Sequence, residues 1–465
     1  MSTSYDLIVI GSGPGGYVAA IRAAQLGLKA AVVEKDPKFG GTCLHRGCIP
    51  TKALLHTAAT LDEIRDAAGI GISVDAPTLD LGKAQDYKNG VVEKNAGGVA
   101  YLFKKNKVDG IHGLGTLKGR NRVAVEKDGE VTEYEAKNIL IATGSVPRGL
   151  PFAPFDGERI LSSDHILELD RLPKSLAVLG AGAVGTEFAS IYKSFGSDVT
   201  LIEMLPRLLP IEDEEVSKEL MRSFKKRKIQ CKTGTKLASV ETNDNGVVLS
   251  LDDGKKESKI EAELLLVAVG RAPVSEGLGL DALGIGTERG YIEVNEFMQT
   301  AVPNIYAIGD VVNTPWLAHV ASAEGILAAE HMAGDEGAQP VNYDLVPSCT
   351  YCEPEVASVG LTEAAAKDKG YDVQCGKFPF SALGKAAILK KTGGFVKVVR
   401  EKKYDEVLGV HIIGPHATDL IAEACVALRL ETTTEELFRT MHAHPTLSEA
   451  VMEAAHGAVG HSIHF

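Results

Sequence analysis

Cysteine is scarce, positive charge is outnumbered, and no long apolar run occurs. Seven cysteines in 465 residues are an odd number, scattered except for two close pairs. That excludes a disulfide-stapled secreted scaffold and makes a reducing compartment the default, so any disulfide here is a working one. Lys and Arg total 49 against 62 Asp and Glu, a net charge of −13, which leaves no electrostatic footprint for DNA or RNA. The longest strongly apolar stretches, such as residues 264–269, fall far short of the ~20 residues that span a bilayer. Residues 1–5 are short and polar, with neither an export signal nor an Arg-rich amphipathic leader. A cytoplasmic protein with no nucleic-acid or membrane partner is the expectation.

Hydrophobic residues at 45% and charged residues at 24% allow a large core, and the length suggests roughly three domains. The chain also repeats itself. Residues 6–10 are an apolar run, followed by GSGPGG at residues 11–16, an Ala-rich helical stretch, and a second apolar run, residues 30–33, ending in Glu34. The same order recurs as residues 175–179, GAGAVG at residues 180–185, a helical stretch to Phe195, and residues 199–202 ending in Glu203. A G-x-G-x-x-G sequence alone is weak; between strand and helix, with an acidic residue about 20 positions on, it marks a dinucleotide-binding βαβ unit. Gly11 and Gly180 allow the tight turn, and Gly13 and Gly182 let backbone approach a pyrophosphate at the helix start. Gly16 and Gly185 let helix pack on strand, while Glu34 and Glu203 accept from ribose hydroxyls. Two tight turns that bind nothing are the plain alternative. ILIATGSVP at residues 139–147 and LLVAVGRAP at residues 265–273 match at Ala, Gly and Pro, each reading as the strand that closes its own unit. Domain joints fall at residues 146–154, after Gly270, and at residues 334–340.

Chemistry enters at GGTCLHRGCIPTK, residues 40–52, where Cys43 and Cys48 follow the first unit's acidic end. Close thiols at a helix start can have a lowered pKa, which suits dithiol–disulfide exchange. Two buried free cysteines, or half a zinc site, are the alternatives; no second Cys/His pair lies nearby, and no metal is expected. In HAHPTLSE, residues 442–449, Glu449 reaches back to orient the His444 imidazole if a helix starts between them, making an acid–base pair. A surface histidine beside a helix start is the alternative. Cys349 and Cys352 read as structural, and the KKRK run at residues 225–228 as a solvated helix end.

These motifs together resemble the flavin-dependent pyridine nucleotide–disulfide oxidoreductases of class I, and among them the branch that oxidises dihydrolipoamide. The resemblance covers essentially the whole chain and includes IYAIGD at residues 305–310 and LAH at residues 317–319. It implies an α/β fold of two Rossmann-like dinucleotide-binding domains plus a C-terminal α+β dimerisation domain. The implied boundaries are residues 1–147 for FAD, 148–273 for NAD, 274–341 for a central part completing the FAD site, and 342–465 for the interface. It assigns the first glycine turn and Glu34 to FAD, with Lys52, Gly115, Thr143, Gly144, Ser145, Asp310, Leu317, Ala318 and His319 lining that site. The second glycine turn, Glu203 and Gly270 fall to NAD, with Glu187 pairing with Lys52. Cys43 would exchange with substrate, Cys48 would contact the flavin, and His444 would be the base, supplied by the other subunit of a homodimer. His45 and Arg46 depart from the Asn-Val of this family's loop. The implied reaction is oxidation of protein-bound dihydrolipoamide with NAD, serving the lipoyl domains of 2-oxo acid dehydrogenase or glycine cleavage complexes. Reduction of another low-molecular-weight disulfide with NADH is the enzymatic alternative. A redox-responsive binding module is the non-enzymatic one, and it needs no His444–Glu449 pair.

Overall fold

The computed structural model describes residues 4–465, which divide into two compact units, each drawn from three stretches of chain. The first comprises residues up to 53, 82–148 and 271–343; the second comprises residues 54–81, 149–270 and 344–465.

The first unit is built on a seven-stranded sheet. Strand Ser4–Ile10 lies between Ala30–Glu34 and the long strand Glu130–Ile141, parallel to both. Such continuous apolar runs suit a parallel sheet covered on both faces, and residues 7–10 and 30–34 are all buried. Strand Ile305–Ala307 joins Glu130–Ile141 in parallel, while Arg122–Lys127 and Leu114–Gly119 extend the sheet antiparallel. Helix Pro14–Gln25 packs against helix Ala318–Ala333 so closely that a Cβ on Gly325 would lie 2.6 Å from Gly15 O.

The second unit holds a five-stranded parallel sheet containing Ser175–Leu179, Asp198–Ile202 and Leu264–Val267, a three-stranded antiparallel sheet, and a five-stranded antiparallel sheet from the C-terminal part. In the last sheet, strand Val407–Gly414 is buried along its whole length between Glu355–Gly360 and Phe395–Glu401. Helix Glu449–Ala458 lies on strand Val373–Pro379, where only glycine fits: a Cβ at Gly376 would lie 2.0 Å from Ala454 O. The side chain of Lys397 is 2% exposed and meets Asp213, Glu215 and Glu363 at 2.7–3.1 Å, tying strand Phe395–Glu401 to the start of helix Glu214–Lys226.

The architecture is the α/β arrangement read from the sequence. The KKRK run is the exception. Arg227 turns inward, its side chain 18% exposed, and donates to Ser190 Oγ, Ser190 O, Ser194 Oγ and Glu353 O. Its helix ends at Lys226, and the turn that follows points the guanidinium at the end of helix Ala183–Phe195 instead of into solvent. No helix among the described residues is long and apolar enough to cross a membrane.

Candidate active site

The two glycine turns share one backbone geometry. Gly11 and Gly180 have φ of +104° and +101°, and a Cβ there would lie 2.3 Å from Ala142 O and 2.4 Å from Ala268 O, in the two matching ATG and AVG segments. A Cβ on Gly16 or Gly185 would lie 2.0 or 1.9 Å from the carbonyl of the first glycine of its own turn. Gly13 and Gly182, by contrast, face open space, cap their helices with no side chain, and precede a first helical turn without acidic residues. The unpaired helical N–H groups therefore remain for an anion such as pyrophosphate. Glu34 and Glu203 close the turns: Glu34 Oε2 accepts from Ser12 N and Oγ and Oε1 from Asp36 N, while Glu203 Oε2 accepts from Ala181 N and Oε1 from Leu205 N. A carboxylate has about four lone-pair positions, so each retains capacity for ribose hydroxyls. Both cradles fit a dinucleotide.

Around the first turn, Ser145 Oγ donates to Asp310 Oδ2 at 2.5 Å and Arg271 Nε donates to Ser145 Oγ at 2.6 Å. Thr143 Oγ1 donates to Val274 O at 2.6 Å, and Gly144 takes φ of +69°. Gly115 lies against Ile10 and Val33, where a Cβ would come within 3.0 Å. Leu317 caps helix Ala318–Ala333, which begins Ala318, His319. Beneath Asp310 sits a buried carboxyl, Glu324, accepting from Gly309 N at 2.7 Å and from Tyr343 Oη at 2.9 Å. Burial pushes its pKa up against those bonds. In the second unit, Gly270 has φ of +116° and the buried Glu187 accepts from Tyr351 N at 2.9 Å.

Cys43 lies on the short helix Gly41–Arg46, and Cys48 opens the helix Cys48–Asp66 that also carries Lys52. The loop is pressed onto the first glycine turn: Gly40 N donates to Ser12 Oγ, and a Cβ on Gly41 would lie 2.5 Å from Gly13 Cα. Both thiols are partly buried and unbridged. The lowered thiol pKa anticipated from the helix start is overturned at Cys43. Its hydrogen bond with Cys48, then burial, push the thiol far up, and the Lys52 ammonium opposes this only weakly. Two sulfurs in contact titrate as a pair, and the first ionisation hinders the second. His45 Nε2 meets Phe39 O at 2.9 Å and Arg46 pairs with Asp36, so the departing pair ties the cysteine helix to the segment after Glu34.

In the second unit, helix Glu449–Ala458 starts between His444 and Glu449, as the acid–base reading requires. His444 Nδ1 lies 2.8 Å from Glu449 Oε1, and Thr446 N donates to Oε2 at 2.8 Å. Burial pushes the Glu449 carboxyl up, but Thr446 N–H and His444 outweigh it and hold it below the usual range. A carboxylate only accepts, so Nδ1 carries the hydrogen and Nε2 offers a lone pair on a ring that is 78% exposed. Sequence reading missed Ser12, Asp36, Glu324, Tyr343 and Glu423. The one signal available was Glu324, a charge on the otherwise apolar face of an Ala-rich helix.

The family described as "Pyridine nucleotide-disulphide oxidoreductase" matches residues 5–325, and its dimerisation domain matches residues 346–455. The chain is 48% identical to a dihydrolipoyl dehydrogenase of Bacillus subtilis and 46% identical to one of Mycobacterium leprae, over the full length of both partners in each case. It is 42% identical to the mitochondrial dihydrolipoyl dehydrogenase of Pisum sativum, covering 100% of this chain and 93% of that one. The crystal structure of LpdA from Mycobacterium tuberculosis superposes with a TM-score of 0.91 at 30% identity, covering 97% of this chain and 99% of that one.

Proposed function

The chain belongs to the pyridine nucleotide–disulphide oxidoreductase family, and on that premise we propose that it oxidises dihydrolipoamide to lipoamide while reducing NAD, with FAD as its bound cofactor. The observation that carries the reading is the duplicated glycine turn closed by a carboxylate, with a dithiol pressed against the first copy.

The first turn with Glu34, Lys52, Gly115, Thr143, Gly144, Ser145, Asp310 and residues 317–319 holds FAD. The second turn with Glu203 and Gly270 holds NAD. His444, oriented by Glu449, takes the proton of one substrate thiol at Nε2. The substrate thiolate attacks Cys43 Sγ of the oxidised pair; the Cys43–Cys48 bond breaks, a mixed disulfide forms, and Cys48 leaves as a thiolate. The second substrate sulfur then displaces Cys43, so lipoamide carries the new disulfide and the two cysteines hold the electron pair. Bound FAD supplies the two-electron chemistry between that pair and the nicotinamide. The domains divide as residues 1–147, 148–273, 274–341 and 342–465. The C-terminal dimerisation domain supports a homodimer. The lipoyl domains of 2-oxo acid dehydrogenase or glycine cleavage complexes in the cytoplasm are the partners we assign.

Steady-state assays with dihydrolipoamide, NAD, NADP and oxidised glutathione test this. A carboxylate at Glu203 accepts from a free 2′-hydroxyl and repels a 2′-phosphate, so NAD is preferred at least about tenfold in kcat/KM, the ~1.4 kcal/mol scale of one such discrimination. Equal use of NADP, or glutathione reduction that outpaces dihydrolipoamide oxidation, contradicts the reading.

A further inference from the structure

The loop that carries His444 holds a second histidine of opposite character. It runs from Thr440, which ends helix Thr434–Arg439, to Ser448, which opens helix Glu449–Ala458. Met441 is 95% exposed and the His444 side chain 78%, yet the His442 side chain between them is 5% exposed. Its Nδ1 lies 2.8 Å from Thr440 O, and its Nε2 lies 2.5 Å from Glu423 Oε1 on helix Ala417–Arg429. A carbonyl oxygen and a carboxylate accept and do not donate, so each ring nitrogen needs its own hydrogen. A neutral imidazole has one; the imidazolium has two. His444, in contrast, uses one nitrogen on Glu449 and keeps the other for a proton.

We infer that His442 is a positioning residue for proton transfer: a doubly hydrogen-bonded, charged clamp on Glu423 that anchors the loop bearing His444 and places a positive charge two residues from that base. The inference rests on the reading of His444 as the base. The loop is fastened on both sides of that residue. Upstream, His442 ties it to helix Ala417–Arg429; downstream, Thr446 N donates to Glu449 Oε2 and Thr446 Oγ1 donates to Ala443 O at 2.7 Å. The charged groups facing His442 are Glu423, from helix Ala417–Arg429, and Glu449, from helix Glu449–Ala458. Glu423 favours the imidazolium most, burial opposes it, and Glu449 adds to Glu423. The Glu449 carboxylate bonds to His444 and also faces the imidazole of His464 from the C-terminal segment. A fixed cation two residues along the same loop disfavours a second positive charge nearby, so removing it favours protonation of the neighbouring imidazole.

The test compares His442→Gln, which keeps a hydrogen-bonding side chain without the charge, with His442→Lys, which keeps the charge, in the full-length FAD-loaded enzyme. Diethylpyrocarbonate attacks only an imidazole nitrogen with a lone pair, and mass spectrometry reads each peptide across pH. His444 is expected to label along a titration curve while His442 stays unlabelled until the protein unfolds. In His442→Gln the His444 curve and the acid limb of kcat/KM for dihydrolipoamide both move to higher pH. Its kcat/KM at neutral pH falls by about tenfold, short of the full ~10²–10⁴ share of a general base. Bound FAD is retained, and His442→Lys moves both curves back toward the unmodified enzyme. Glu423→Gln removes the need for the second proton and shifts the same curves, so it decides the matter if His442→Gln does not fold. Labelling of His442 as readily as His444 in the folded enzyme overturns the inference. So do unmoved curves in whichever of the two glutamine variants fold. Labelling needs no turnover, which separates this outcome from a failure of the enzyme to oxidise dihydrolipoamide.

Discussion

At Cys43 the chemistry and the fold can be separated by one atom. Its sulfur contacts Cys48, while the backbone around it is held by Gly40 on Ser12 and by Gly41 against Gly13, contacts that owe nothing to the thiol. Cys43→Ser is therefore expected to keep bound FAD and the fold while dihydrolipoamide oxidation falls to background, because an alkoxide cannot take part in disulfide exchange at neutral pH. Flavin content and NADH formation, measured on the same preparation, check this. Turnover near that of the unmodified enzyme would remove Cys43 from the mechanism. This residue, its partner, and the His444–Glu449 pair were legible in the sequence because each depends on partners five positions away, a separation that local structure alone can close. Ser12, Glu324 and the His442–Glu423 contact were not legible, since their bonds span 22, 15 and 19 positions and arise only when separate elements pack. Arg227 misled for a related reason: a cation in the last turn of a helix normally faces water, and only the neighbouring helix end draws this one in.

Two elements invite tests of their own. Helix Ala318–Ala333 supports the turn bearing Asp310 through Glu324, and Glu324→Ala leaves the Gly309 N–H and the Tyr343 hydroxyl without their acceptor. Each unsatisfied buried donor costs on the order of 1–3 kcal/mol. The variant is expected to unfold at lower denaturant and to release FAD, whereas Glu324→Gln keeps an accepting oxygen and most of the stability. Equal behaviour of the two variants in unfolding and flavin release would contradict this role. In the second unit, Lys367 and Lys397 hold the Glu363 carboxyl down from 4.5 to about 2. A depressed carboxylate contributes stability that is fully present above its unfolded value and is lost as pH falls through the folded one. Glu363→Gln should therefore be less stable than the unmodified protein at neutral pH, modestly so because the side chain is 33% exposed. The difference should shrink between pH 4.5 and about 2. Denaturant midpoints across that range decide it, and a gap that widens on acidification has the wrong sign.

The whole molecule divides its proposed chemistry: the dithiol belongs to one compact unit and His444, the proposed base, to the other, about 400 residues away along the chain. Much of this division was readable from the doubled glycine turns, whose strands and helices follow from local apolar runs and glycines. What joins the separate stretches of the second unit was not, because a buried cluster such as Lys397 with Asp213, Glu215 and Glu363 has no signature in any single stretch. The central proposal, which the family resemblance implies, is that Cys43 and the partner subunit's His444 act on one substrate in the homodimer. A purified mixed dimer, carrying Cys43→Ser in one chain and His444→Gln in the other, tests it most directly through its rate of dihydrolipoamide oxidation. If sites are shared, both lesions fall in one site and the other is intact, so about half the activity of the unmodified dimer survives. Activity near zero, meaning that each chain's dithiol depends on its own histidine, would contradict the account.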